Sequence, residues 1–244
     1  MAMQFISLQD YQIVKDYTFD VIPTSKTVIN TINAHSWVTA EKDPTFKNAL
    51  LVSDILLPDG IAIVLASKFL TGDKIHKTAG ADLHEMILRT LNNKAGKCFY
   101  LGASKETLDK IKNKLHKEYP NIQVKTYSPP YKDTFSEQDN KLMIESINAF
   151  EPDVLFVGMT APKQEKWIIE NKSEIKASVI TGIGAVFDFY AGVKKRPAKW
   201  MINCGLEWFG RLIQDPKRLW KRYLINNQIF IYQIIKIKLN NIFH

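Results

Sequence analysis

Asp59 stands in the stretch ILLPDG at 55–60, with three apolar residues and a proline before it and a glycine after it. A carboxylate at the end of an apolar run is partly stripped of water, which raises its pKa and makes it a better proton acceptor. The same place suits a turn residue or a helix N-cap, because Pro58 and Gly60 punctuate the chain and the helix-like run IAIVLASKFL follows at 61–70. Thr31 and Asn33 close another strand-like run and bring a hydroxyl and an amide to a comparable position. Arg211, Arg218 and Arg222 add guanidinium groups, which grip phosphate oxygens in pairs. Together these side chains suit proton abstraction beside a bound phosphate.

Other chemistries find less support. The chain has no P-loop lysine motif and no Asp-x-Asp pair of the kind that holds a cation on a diphosphate. Neutralisation of phosphate therefore falls to the arginines, and no metal site is expected. GIGAVF at 182–187 resembles the start of a dinucleotide fingerprint but lacks its third glycine and comes late in the chain. His35 and His84 are isolated and read as structural or solvent-facing. Cys98 and Cys204 lie far apart without ligand spacing, as two reduced thiols of a cytosolic protein would.

The elements that must position these residues alternate. Strand-like runs at 26–31, 54–57, 97–101, 122–127, 153–157 and 178–181 are separated by helical runs at 45–52, 61–70, 105–117, 136–150 and 161–171. Such alternation implies βαβ units, an α/β fold and a mainly parallel sheet with helices on both faces. Ligands of such sheets bind beyond the carboxyl ends of the strands. That rule gathers Thr31 and Asn33, Asp59, and the small-residue turns at Gly102, Gly158 and Gly184 on one edge. There the backbone can approach a ligand and helix N-termini can face a phosphate.

Charge divides the chain. Residues 194–244 hold eleven Lys/Arg against Glu207 and Asp215, so this segment is +9 within a total of +8, and the remainder is −1. We therefore divide the chain into a body, 1–195, and a basic helical appendage, 196–244. Such asymmetry calls for an anionic partner. Trp208, Leu212, Leu219, Trp220 and Tyr223 interleave with the arginines. Asp215-Pro216 reads as a helix start, with Arg218 and Arg222 on one face of that helix. The final NNQIFIYQIIKIKLNNIF is apolar but broken by polar residues, which suits an interfacial or partner-packed helix. No spanning helix is expected, and the N-terminus lacks the order of a signal peptide.

Five stretches carry a family resemblance. TINAHSWVTA (31–40), SDILLPDGIAIV (53–64), FVGMTAPKQEKWI (156–168), TGIGAVFDFYAG (181–192) and RPAKWMINCGLEWFGRLIQDPKRLWKRYL (196–224) are similar to the WecG/TagA/CpsF glycosyltransferases. The resemblance covers about residues 27–224. It implies a Rossmann-like catalytic domain and a basic appendage that reaches the membrane. It implies an inverting enzyme on the inner face of the bacterial cytoplasmic membrane. That enzyme would move a sugar, of the N-acetylmannosamine type, from a UDP-sugar to a polyprenyl-diphosphate-linked sugar, building teichoic acid or another surface polymer. The UDP-sugar is a substrate, and no cofactor is implied. The resemblance places the base at Asp59 and implicates Thr31, with Asn33 two residues on. It puts Gln164 at the donor site and the appendage arginines at Arg211, Arg218 and Arg222. The family's longer strand–helix lead-in is compressed here into FDVIPTSKTVINT.

Two readings compete. The basic, Trp-rich tail suits a nucleic-acid-binding protein, although that reading gives no reason for PDG or APKQE. A catalytically idle membrane scaffold leaves Thr31, Asp59 and Gln164 unexplained. The apolar tail residues are also available to a second copy in a homo-oligomer.

Overall fold

The computed structural model describes residues 3–243; residues 1, 2 and 244, which end the two ranges drawn above, lie outside it. Six parallel strands form the central sheet: β3 (Thr27–Ile32), β4 (Ile55–Pro58), β5 (Lys97–Gly102), β6 (Gln123–Tyr127), β7 (Val154–Gly158) and β8 (Val179–Gly182). Their order is β4-β3-β8-β7-β5-β6. They pair in parallel throughout, as the alternation required. β1 (Phe5–Leu8) and β2 (Tyr11–Val14) make a separate antiparallel hairpin that precedes FDVIPTSKTVINT, and that segment runs as a loop into β3.

Side-chain alternation along the strands builds two cores. Cys98 and Tyr100 of β5, with Val154 and Phe156 of β7, face α4 (Gly80–Asn93) and α5 (Lys105–Glu118). Their neighbours Phe99, Leu101, Leu155 and Val157 face α6 (Glu137–Asn148) and α7 (Lys163–Asn171). A sheet apolar on both faces needs helices on both. The third cluster gathers α1 (Ala34–Ala40), α2 (Pro44–Leu51) and α3 (Ile61–Thr71) around Trp37 and the hairpin.

The segment read as an appendage has two parts. Beyond α8 (Val186–Tyr190), which still belongs to the body, it runs through α9 (Lys199–Asn203), α10 (Glu207–Gln214) and α11 (Pro216–Trp220) to a π-helical turn, Lys221–Ile225. α12 (Asn226–Phe243) then returns to the body. Phe230 and Ile234 of α12 are buried with the third cluster, and the Phe230 ring meets Trp37 edge-on at 5.7 Å. The partner expected for this apolar run is thus, on its buried face, the chain's own α1 and α3. No helix among the described residues is long and apolar enough to cross a membrane.

Candidate active site

Adjacent register brings the first site residues together. Thr31 lies opposite Leu57 and Ile32 opposite Pro58, so the two chains leave the sheet side by side. The Asp59 N–H donates to the Ile32 carbonyl at 2.8 Å and extends that ladder by one rung. Asn33 caps α1: its Oδ1 accepts from the Ser36 N–H at 3.0 Å, while its Nδ2 donates to Asp59 Oδ2 at 3.3 Å. Gly60 is the residue before α3 and has φ +91°, with no side-chain cap bond. A side chain there would be strained, and this is why glycine follows the aspartate. The Asp59 oxygens are therefore spared capping duty and stay available to the cleft.

Asp59 keeps a small opening to solvent at the base of that cleft. Burial raises its pKa, and the nearby Glu207 charge adds to the effect. Arg211, Arg222 and the Asn33 hydrogen bond act in the opposite direction. Two cavities meet at this carboxylate. The larger, about 1120 Å³, runs along the strand ends past Thr31, Gly102, Gly158, Gln164 and Gly184. The smaller lies between the start of α3 and the tail, lined by Ile61, Lys77, Trp208 and Tyr223. Asp59 borders both, as do Asn33, His35, Glu207, Arg211 and Arg222.

The glycine turns stand level, with Gly102 opposite Gly158 and Val157 opposite Gly182. At Gly102 (φ +125°) a Cβ would come within 2.4 Å of the Gly158 carbonyl oxygen. At Gly158 it would meet the Phe187 ring at the same distance. Close protein packing thus demands both glycines, and both still line the cleft. Gly184 instead leaves room for the Gln164 amide.

The tail supplies the cations. α11 stops at Trp220, so Arg222 falls in the π turn and not on one α-helical face with Arg218; both nevertheless line the large cleft. Burial, then the charges of Arg211 and Arg218, depress the Arg222 pKa, while Tyr223 and Asp59 work against that. Its Nε is buried without a hydrogen-bond partner among the described residues. Arg218 is steered by Asp215 at 2.8 Å, and the Arg211 guanidinium sits over the Phe189 ring at 5.3 Å. Converging cations with an unspent buried donor form a site for an anion with several oxygens.

The model of the glycosyl transferase WecG/TagA/CpsF family matches residues 6–243. The chain belongs to this family. Its relatives include the N-acetylglucosaminyldiphosphoundecaprenol N-acetyl-beta-D-mannosaminyltransferase of Bacillus subtilis (strain 168). It is 36% identical over 197 residues, covering 81% of this chain and 75% of that protein. The enzymes of that name from Bacillus spizizenii and Staphylococcus aureus (strain MW2) are each 31% identical, covering 80% and 75% of this chain and 74% and 69% of their own lengths. This WecG/TagA/CpsF member is a glycosyltransferase, and the nucleic-acid reading gains no support.

Several site residues escaped sequence reasoning. Glu207 accepts from Lys77 at 3.1 Å and from Arg196 at 3.5 Å, and Arg196 also reaches Asp82 at 3.0 Å. This network docks α10 onto the body beside Asp59. Burial raises the Glu207 pKa, but Arg196 and Lys77 outweigh it and keep the group below its usual range. The available signal was its rarity, one of two acids among eleven cations. His35, read as isolated, lines both cavities, and its Nδ1 meets Asn226 Nδ2 at 2.6 Å. Burial, with Arg222, lowers its pKa to about 4, so it is neutral at pH 7. His84 matches its structural reading, buried against the Tyr100 hydroxyl at 2.6 Å.

Proposed function

We propose that this glycosyltransferase moves an N-acetylmannosamine-type sugar from a UDP-sugar to a polyprenyl-diphosphate-linked N-acetylglucosamine in the synthesis of a cell-wall polymer. The observation that carries the reading is the placement of Asp59 where two cavities meet. A two-substrate displacement needs a base at such a junction. The donor fits the long cleft, whose volume and backbone-lined turns suit a nucleotide sugar. The acceptor sugar approaches from the smaller cavity, which Trp208 and Tyr223 line.

An acceptor hydroxyl attacks the anomeric carbon from the face opposite UDP. The new C–O bond forms as the bond to the diphosphate oxygen breaks, so the centre inverts. Asp59 takes the hydroxyl proton, and the electron pair leaves with UDP. Arg211, Arg218 and Arg222 stabilise the charge that gathers on the diphosphate, as preorganised donors do in a water-poor site. Thr31 and Asn33 hold the cleft floor, and Asn33 orients Asp59. The relatives' names supply the sugar and the acceptor class.

Residues 196–225 form the membrane-facing appendage in this account. Trp200, Phe209, Ile213, Trp220 and Leu224 are exposed there among lysines. Basic residues near an anionic leaflet contribute about 1 kcal/mol each. A bound lipid-linked acceptor would thus meet a site completed by the same segment. The test is a UDP-sugar panel with lipid-diphosphate-linked N-acetylglucosamine, run with and without EDTA. One donor should be consumed in an acceptor-dependent way, with EDTA making little difference. Turnover of no UDP-sugar overturns the donor class, and abolition by EDTA overturns the metal-independent mechanism.

A further inference from the structure

Two adjacent side chains in the long cleft hold acceptor oxygens with nothing to accept. Gln164 and Glu165 open α7 and are only 5% and 4% exposed. The Gln164 Nε2 donates to Glu165 Oε1 at 2.9 Å, which fixes both side chains. Gln164 Oε1 and Glu165 Oε2 are then buried without a hydrogen-bond partner among the described residues. Leaving a buried polar atom unsatisfied is costly, and here two such acceptors lie side by side. Both residues line the cleft. The neighbouring turn keeps space for them: a Cβ on Gly182 would lie 2.9 Å from the Gln164 amide nitrogen. Burial raises the Glu165 carboxyl to about 7, with the Gln164 hydrogen bond and the Arg222 charge opposing the rise.

The required ligand carries O–H or N–H groups at adjacent positions. Sugar rings have this chemistry, in vicinal hydroxyls or in a hydroxyl beside an acetamido N–H. We propose that Glu165, braced by Gln164, is a binding residue that accepts a hydroxyl of a sugar ring of the nucleotide-sugar donor. This rests on the donor assignment above. The ring is either the transferred sugar or the ribose.

Titration calorimetry with UDP, UDP-N-acetylglucosamine and UDP-N-acetylmannosamine tests the assignment on the full chain. Glu165→Gln is the conservative variant, because its amide oxygen can still accept from Gln164; Glu165→Ala is the second. Affinity should fall about tenfold in Glu165→Gln and further in Glu165→Ala, as loss of a buried hydrogen bond to the ligand requires. The ligand-free Tm of Glu165→Gln should stay within a degree or two, because the substitution exchanges one unpaired buried polar atom for another and keeps the bond from Gln164. Loss confined to the UDP-sugars assigns the transferred sugar, and equal loss for UDP assigns the ribose. Unchanged affinity in both variants overturns the proposal. So does a ligand-free Tm several degrees lower in Glu165→Gln, which would make the carboxyl a structural partner. A wild-type chain that binds none of the three ligands overturns the donor assignment itself, and this proposal with it. Wild-type binding with unaffected variants overturns the proposal alone.

Discussion

At the residue scale, the division of labour between Asn33 and Asp59 decides the site. Asn33 spends one atom on a helix cap and another on the carboxylate. Asn33→Ala should therefore cost twice. Loss of the cap should lower stability by about 1 kcal/mol, read as a fall in Tm. Turnover should fall by more than stability explains, because Asp59 loses its orienting donor. Asn33→Asp keeps a cap and restores Tm but puts a like charge against Asp59, so it should not restore turnover. Equal rescue of both by Asn33→Asp would show that Asn33 only caps. The raised Asp59 pKa has its own sign. Its ionised form is disfavoured in the folded state, so stability falls as pH rises from the unfolded pKa through the folded one. At neutral pH Asp59→Asn should fold at least as stably as the parent chain.

At the element scale, α10 is held beside Asp59 by the Lys77–Glu207–Arg196–Asp82 chain of charges. Lys77, Glu207 and Arg196 are partly shielded from water while Asp82 is more open, so the network matters more than a fully exposed pair would. Arg196→Ala should loosen α10 and its Arg211, raising hydrogen exchange across 207–214 while leaving the central strands protected. Unchanged exchange there would remove the network from the account. Most of the central sheet was legible, because apolar runs such as KCFYL and DVLFV announce buried parallel strands and Ser136 announces a helix start. The hairpin at 5–14 was not, since strands of four residues carry too short a pattern. α4 was also missed, although Leu83, Ile87 and Leu91 recur at helical spacing. Asp59, Thr31 and the arginines could be found from their place at strand ends and in the tail. Glu207 offered only its rarity among the tail's cations, and Arg196 and Glu165 offered no signal, because their placement arises from partners distant in sequence or from burial.

At the scale of the whole molecule, α12 fastens the end of the tail to the body, while 196–225 presents apolar and basic residues outward. Trp220 and Leu224 are 43% and 47% exposed, so changing both to serine should leave Tm within a degree or two. The same change should reduce sedimentation with anionic liposomes, and added salt should weaken the remaining binding. Full liposome binding by this variant would move the lipid contact elsewhere. The central claim is that a base at the meeting point of two cavities activates a lipid-diphosphate-linked sugar to accept a second sugar from a nucleotide. Its most direct test compares the parent chain with Asp59→Asn on anionic vesicles bearing lipid-diphosphate-linked N-acetylglucosamine, with UDP-N-acetylmannosamine as donor. The account predicts transfer by the parent chain, with activity lost as pH falls through a pKa above the usual aspartate range. It predicts a loss of about 10²–10⁴-fold in the variant, with donor binding retained. Near-parental transfer by Asp59→Asn would contradict it.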